Sequence, residues 1–241
     1  MLSKNQVKLI TSLQQKKYRN KNNLFIAEGV KCVNEFLKSD FIVQKLFYTL
    51  GFEHNLELDK AHEVSVEELK KISNYNTPNE VLALFEIPKE NEIEEKNFTL
   101  VLDGVNDPGN LGTIIRLCDW FGVSQLICSK DTVDCYNPKV VQSTMGSLNR
   151  VSIVYADIES FISKTSLPVY SAMMSGDNVY CSSLPKNAVL VMGNEANGVR
   201  ESVSELINNK LTIPKFGDKQ LAESLNVATA TAILLSEFKR F

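Results

Sequence analysis

The chain has 241 residues, enough for one large domain or two smaller ones with a sizeable core. With 44% hydrophobic residues it is an ordinary globular sequence, and no apolar run approaches the ~18 residues that a membrane span needs. Net charge is −3, which counts against a nucleic-acid partner, and only two histidines, His54 and His62, leave little for histidine-based catalysis or metal binding.

The N-terminus, MLSKNQVKLI, lacks the apolar core of a secretory signal. Residues 1–21 carry Lys4, Lys8, Lys16, Lys17, Arg19 and Lys21 and no acidic residue. Such local asymmetry fits contact with a phosphate backbone and equally a solvated helix face. Residues 4–18 have helical spacing at Val7, Ile10 and Leu13. A strand at 24–29, a helix at 30–39, a strand at 43–49, a capped helix at 65–73 and a strand at 80–88 follow, the pattern of a compact α/β module. PKENEIEEKN, residues 88–97, reads as a linker with four glutamates and a proline.

Beyond the linker the alternation is regular. Strands are predicted at 98–103, 124–129, 150–155, 168–173, 187–192 and 210–214. Helices are predicted at 111–121, 137–146, 157–164, 199–207 and 224–240. Strands rich in valine, isoleucine and leucine between helices indicate a parallel sheet covered on both faces. The five cysteines, at 32, 118, 128, 135 and 181, form no C-x-x-C pair and read as reduced buried thiols of a cytoplasmic protein.

In such a sheet ligands collect at the carboxyl ends of strands, and three unusual turns fall there. The first is NDPGNLGTIIR, 106–116, with Asn110 placed as a helix N-cap and Arg116 on an otherwise apolar helix. The second is VLVMGNEANGV, 189–199, where a buried strand breaks into glycine, asparagine and glutamate. The third runs from Ile213-Pro214 to ESLNV, 223–227, and opens a helix rich in small residues. Each alone fits a capped helix or a plain loop. No G-x-G-x-x-G follows any strand, which counts against a dinucleotide enzyme.

Together and in this order, the three turns resemble the motifs of the SpoU (TrmH) branch of the SPOUT RNA methyltransferases. The resemblance covers about 98–241, and residues 6–37 resemble the small substrate-binding domain, of ribosomal-protein L30e type, that precedes it in many members. The resemblance implies a parallel α/β sheet with a C-terminal deep trefoil knot, after an L30e-like α/β domain. The domains it implies are 1–90 for RNA substrate binding, 91–97 as linker and 98–241 for catalysis.

The implied reaction moves a methyl group from S-adenosyl-L-methionine to a ribose 2′-hydroxyl in structured RNA, 23S rRNA before tRNA, and releases S-adenosyl-L-homocysteine. It needs no metal. The alternative is a non-catalytic RNA-binding or ribosome-assembly factor that kept the fold. The implied catalytic residues are Asn110, Arg116, Glu195, Ser224 and Asn226. The implied cofactor residues are Thr144, Met145, Gly146, Met192, Gly193, Asn194, Glu195, Gly198, Ile213, Pro214, Leu225 and Asn226. Lys4, Lys16, Lys17, Arg19 and Arg116 are expected to bind RNA. In the family the arginine is the proposed base, but arginine stays protonated in proteins, so a phosphate ligand beside the hydroxyl is the other role open to Arg116. The resemblance also implies a homodimer, with the helix over 224–240 as its surface. The loop over 214–223 is longer than is common in relatives, and Leu117-Cys118 stand where many relatives have Thr-Ala.

Overall fold

The structure, a computed structural model, describes residues 1–57, 59–94, 96–217 and 223–240. In chain order it has α1 (Lys4–Ser12), α2 (Lys16–Asn22), β1 (Leu24–Glu28), α3 (Val30–Leu37), β2 (Val43–Tyr48), β3 (Ala61–Glu63), α4 (Val66–Ile72) and β4 (Val81–Glu86). There follow β5 (Phe98–Asp103), α5 (Pro108–Trp120), β6 (Gln125–Ser129), α6 (Pro138–Thr144), β7 (Ser152–Ala156), α7 (Ile158–Ile162), β8 (Val169–Asn178), β9 (Ala188–Gly193), α8 (Glu201–Ser204), β10 (Asn209–Thr212) and α9 (Val227–Phe238). The contacts divide the chain into two compact units, Met1–Lys89 with Asp134–Asn149, and Glu90–Val133 with Arg150–Phe241. No helix among the described residues is long and apolar enough to cross a membrane.

The first unit has a four-stranded mixed sheet ordered β1-β4-β2-β3. β4 runs antiparallel to both β1 and β2, while β2 and β3 are parallel. One core gathers Ile10, Leu13, Ile26, Phe47, Leu69, Ile72, Leu82 and Leu84. Elsewhere in the unit Phe25 meets Phe36, Phe41, Phe85 and Tyr136 with ring centroids 5.0–5.8 Å apart. Residues 134–149, which contain the predicted helix 137–146, pack in this unit. The sequence-predicted helix over 4–18 is two helices. Arg19 accounts for the break, because its guanidinium Nη1 donates to the carbonyls of Leu13 and Gln14 at 2.9 and 2.8 Å, where α1 ends.

His62, on β3, stacks on Phe47 with ring centroids 5.5 Å apart, and its Nε2 is buried without a hydrogen-bond partner among the described residues. Burial, and after it the charge of Lys45, lowers its pKa below the ordinary 6.5. The folded chain therefore keeps the imidazole neutral while the unfolded chain takes up a proton as pH falls through 6.5. In that window the unfolded state binds more protons, so stability drops with pH. The melting temperature is expected to fall between about pH 7 and about pH 5, and to fall less in His62→Phe. Equal pH slopes for the two proteins would contradict this account of His62.

The second unit is a six-stranded sheet ordered β10-β8-β9-β5-β6-β7. Every neighbouring pair is parallel, as the valine- and isoleucine-rich strands imply. One face packs Val101, Ile127, Val189 and Val191 against Ile158, Ile162, Val203 and Ile207. α5 and α9 pack on each other elsewhere in the unit, burying Ile114, Ile115 and Cys118 with Ala228, Thr231, Leu234 and Leu235. β8 runs to Asn178, beyond the sequence-predicted end at 173, because β10 joins it through a register shift between Lys210 and Leu211. Gly176 permits this close approach, since a Cβ there would sit 2.5 Å from the Lys210 carbonyl oxygen. Four of the cysteines are buried, but Cys181 is exposed, contrary to the sequence reading.

Candidate active site

The central strands β5 and β9 run side by side and end together, with Asp103 opposite Gly193. The first turn then leads into α5. Its cap is Asp107, not Asn110: the Asp107 carboxylate accepts the Asn110 N–H at 2.8 Å, and Pro108 occupies the first helical position. Asn110 therefore lies on the first turn of α5, and its side-chain amide is left for other partners.

Those partners come from the other two turns. Asn226 caps α9, its Oδ1 accepting the N–H groups of Ala228 and Thr229 at 3.0 and 3.2 Å. The two backbone donors assign the amide orientation, so Nδ2 must point the other way. It donates to Asn110 Oδ1 at 2.8 Å. Asn110 then presents its own Nδ2 to Glu195 Oε1 at 2.9 Å. The result is a one-way chain of donors from the N-terminus of α9, across the start of α5, to a carboxylate in the loop after β9. Asn194 Nδ2 approaches the second Glu195 oxygen at 3.4 Å and donates to the Gly104 carbonyl at 2.7 Å.

The loop that carries Glu195 is tightly closed. Asn194 and Gly198 exchange both backbone hydrogen bonds at 2.9 Å. Asn194 Oδ1 also accepts the N–H groups of Ala196 and Asn197 at 2.9 and 3.2 Å. Gly198 turns the chain with φ of 69°, and a Cβ on Gly193 would run into the backbone of Gly198 and Val199. Just beyond, Arg200 returns to the end of β5. Its backbone N–H donates to Asp103 Oδ2 at 2.8 Å and its Nε to Asp103 Oδ1 at 2.7 Å. Arg200 Nη2 lies 3.6 Å from Asp131 Oδ1. The hydrogen bonds that Arg200 donates to Asp103 raise its pKa above the usual range, and the Ser129 side chain, with Arg200 as a lesser cause, lowers that of Asp131. Neither Asp103 nor Arg200 was singled out from sequence. The signal available was an acid ending an otherwise apolar strand, FTLVLD.

Of the five sequence-predicted catalytic residues, Asn110, Glu195 and Asn226 are brought into direct hydrogen bonding. Arg116 and Ser224 are exposed, and among the described residues neither has a hydrogen-bond or ion-pair partner. Of the predicted cofactor residues, Met192 is buried at the end of β9, Ile213 and Pro214 are half-buried after β10, and Leu225 is 50% exposed. Part of the long 214–223 loop, residues 218–222, lies outside the described residues. Thr144, Met145 and Gly146 lie in the first unit, at the end of α6. There Thr144 Oγ1 donates to the Val141 carbonyl at 2.7 Å, and a Cβ on Gly146 would press on Glu35.

Lys4, Lys16 and Lys17 are exposed, as contact with RNA phosphates requires. Arg19 is not. Only 2% of it is accessible, and its Nε and Nη2 pair with Asp134, Nε at 3.0 Å. With the Leu13 and Gln14 carbonyls taking Nη1, the guanidinium is a buried structural group. Arg19 is therefore not a free RNA contact: drawing it to a phosphate would leave Asp134 unpaired and the Leu13 and Gln14 carbonyls without their donor.

The second unit is thus an open, wholly parallel α/β sheet with a polar cluster at the carboxyl ends of its strands, a ligand- or substrate-handling class of fold. Comparison with known proteins gives the family. Residues 97–236 match the SpoU rRNA Methylase family, and residues 4–83 match the MRM3-like substrate binding domain. The 23S rRNA (guanosine(2553)-2′-O)-methyltransferase RlmP of Bacillus subtilis is 31% identical over 242 residues, covering 97% of this chain and 96% of that one. A TrmH-family protein from Porphyromonas gingivalis superposes with a TM-score of 0.88 at 38% identity, covering 100% of this chain and 99% of that one. An AdoMet-bound rRNA methyltransferase from Sinorhizobium meliloti does so with a TM-score of 0.85 at 31% identity, covering 100% and 96%. The chain belongs to the SpoU rRNA methylase family.

Proposed function

We propose that this chain transfers a methyl group from S-adenosyl-L-methionine to a ribose 2′-hydroxyl of 23S rRNA and releases S-adenosyl-L-homocysteine. The observation that carries the reading is the hydrogen-bonded chain Asn226–Asn110–Glu195. It joins three turns that lie far apart in sequence, and each comes from one of the motifs the family resemblance rests on. The RlmP relative, matched over nearly its whole length, supports rRNA as the substrate.

The residues present fit the cofactor. Half-exposed Leu225 and half-buried Ile213 offer apolar surface for an adenine face. The backbone at 215–217 and 223–225 makes no hydrogen bond among the described residues, leaving donors and acceptors for the adenine edge. Leu225, Asn226, Ile213, Pro214 and the turn from Met192 to Gly198 would hold it. The bound sulfonium supplies both the methyl group and its own leaving group.

The chain's own residues then have to place the ribose, whose 2′-hydroxyl gives up its proton to an oxygen of the neighbouring phosphate or to water as the new O–CH3 bond forms. Arg116, exposed and unpaired among the described residues, binds the phosphate next to the target ribose by a two-pronged contact. Glu195, oriented by Asn110, accepts a hydrogen bond from the ribose or from Arg116. Ser224 adds a hydroxyl beside the cap of α9. Much of the rate comes from geometry set before the substrate arrives. Lys4, Lys16 and Lys17 bind RNA phosphates without reading sequence. A deep trefoil knot in the second domain, a homodimer using the outer face of α9 and a cytoplasmic location belong to the same proposal.

Methyl-labelled S-adenosylmethionine, incubated with the protein and with rRNA or tRNA from a strain lacking the gene, tests the reading. Label is expected in 23S rRNA, at one mapped 2′-O-methyl. Label in tRNA alone would overturn the substrate assignment. No heat of cofactor binding at roughly millimolar concentration would overturn the enzyme and leave an RNA-binding factor.

A further inference from the structure

Asp103 is a fully buried residue at which both ends of the Glu195 loop meet one strand, one end through the backbone ladder and the other through its carboxylate. At one end, Gly193 stands opposite it in the β5–β9 ladder. At the other, Arg200 donates its backbone N–H to Oδ2 and its Nε to Oδ1, with Nη2 on Oδ1 as well. The excursion from Asn194 to Val199 is thereby closed on itself. A third tie, Asn194 Nδ2 to the Gly104 carbonyl, uses the residue next to Asp103. Glu195 itself is exposed and touches only Asn110 and Asn194 among the hydrogen bonds of the described residues. Its position is therefore set by Asn110 and by the loop, which the ion pair fastens to the end of β5.

We propose that Asp103 and Arg200 are positioning residues for Glu195, a buried carboxylate and its arginine clamp that hold the 194–199 loop against the end of β5. The inference rests on the proposed methyl transfer for its kinetic readout, and on the loop alone for its structural one. The two partners are unequal. The Asp103 side chain is 0% accessible, whereas that of Arg200 is 50% accessible. Without the carboxylate, Arg200 can turn to water and keep Asp131 as a neighbour. Without the guanidinium, Asp103 is left as an unpaired buried charge, the costlier defect.

The variants Asp103→Asn, Arg200→Gln and the double substitution test the pair. Displacing a catalytic group by about 1 Å can cost on the order of 100-fold in rate. Each single variant is expected to lower kcat by about 10- to 100-fold while KM for RNA stays within about twofold. The double variant is expected to lose no more than the worse single, because the residues act as one unit. Arg200→Gln should melt at a lower temperature than Asp103→Asn. Amide exchange at Ala196, Asn197 and Gly198, measured without substrate or cofactor, should quicken in all three variants.

Unchanged exchange in Asp103→Asn overturns the proposal, and so does quickened exchange with a kcat equal to that of the parent protein. If the parent protein itself transfers no methyl group, the functional reading fails, and exchange alone still decides whether the pair holds the loop.

Discussion

Arg116→Ala is expected to abolish methyl transfer, with a loss on the order of 1,000-fold or more in kcat, while S-adenosylmethionine still binds and the protein melts as before. A single preorganised donor at a reacting centre is commonly worth 100- to 1,000-fold, and a charged fork that also holds the substrate phosphate should reach the upper end. The structure makes this a clean experiment. Arg116 is exposed, and no hydrogen bond or ion pair among the described residues is lost with it. The packing of α5 belongs to its neighbours Ile114, Ile115 and Cys118. A fall in activity could not then be blamed on unfolding. Arg116→Lys keeps the charge but not the fork, so an intermediate rate is expected. Turnover near that of the parent protein in Arg116→Ala would remove Arg116 from the mechanism, and loss of cofactor binding would place it in the cofactor pocket. Single-turnover methyl transfer with calorimetry on the same preparation separates these outcomes.

What could be read from the sequence depended on whether the signal was local. β5 is found at its predicted bounds because an apolar run ends abruptly in DGVNDP. The parallel sheet followed from strands apolar on both faces. The three turns were recognisable because glycine and asparagine cluster there, and the hydrogen bonds among Asn110, Glu195 and Asn226 draw them together. Features that depend on a distant partner were invisible. Arg19 looks like its lysine neighbours until Asp134, 115 positions away, is seen beside it. The Asp103–Arg200 pair spans 97 positions. The extra length of β8 exists only because β10 pairs with it across an irregular register. The cap of α5 is an instructive middle case. Asp107 and Asn110 are both good caps, but Pro108 favours the first helical position, so Asp107 was the residue the local chemistry indicated.

The second large effect is expected from Asn226→Asp, which separates what Asn226 does for the fold from what it does for the site. As a cap, aspartate is as good as asparagine, and its charge suits a helix N-terminus. The melting temperature should therefore hold or rise, whereas Asn226→Ala, which loses the cap, should cost about 1 kcal/mol, or roughly 2–4 °C. As a donor to Asn110, aspartate fails. Its free oxygen faces Asn110 Oδ1, two acceptors at hydrogen-bond distance. If the Asn110 amide turns over to relieve this, its oxygen then faces Glu195. Either way one acceptor-to-acceptor contact remains, at Asn110 Oδ1 if the amide stays and at Glu195 if it turns, and the run of donors that fixes Asn110 and Glu195 is broken. We expect kcat to fall on the order of 100-fold with no loss of stability. Adding Glu195→Gln to this variant supplies a new donor at the far end, so that the whole chain of hydrogen bonds can run in reverse. Its geometry is then restored without the carboxylate. If activity returns, Glu195 serves only to hold the network together. If it stays lost, the carboxylate takes part in the reaction itself.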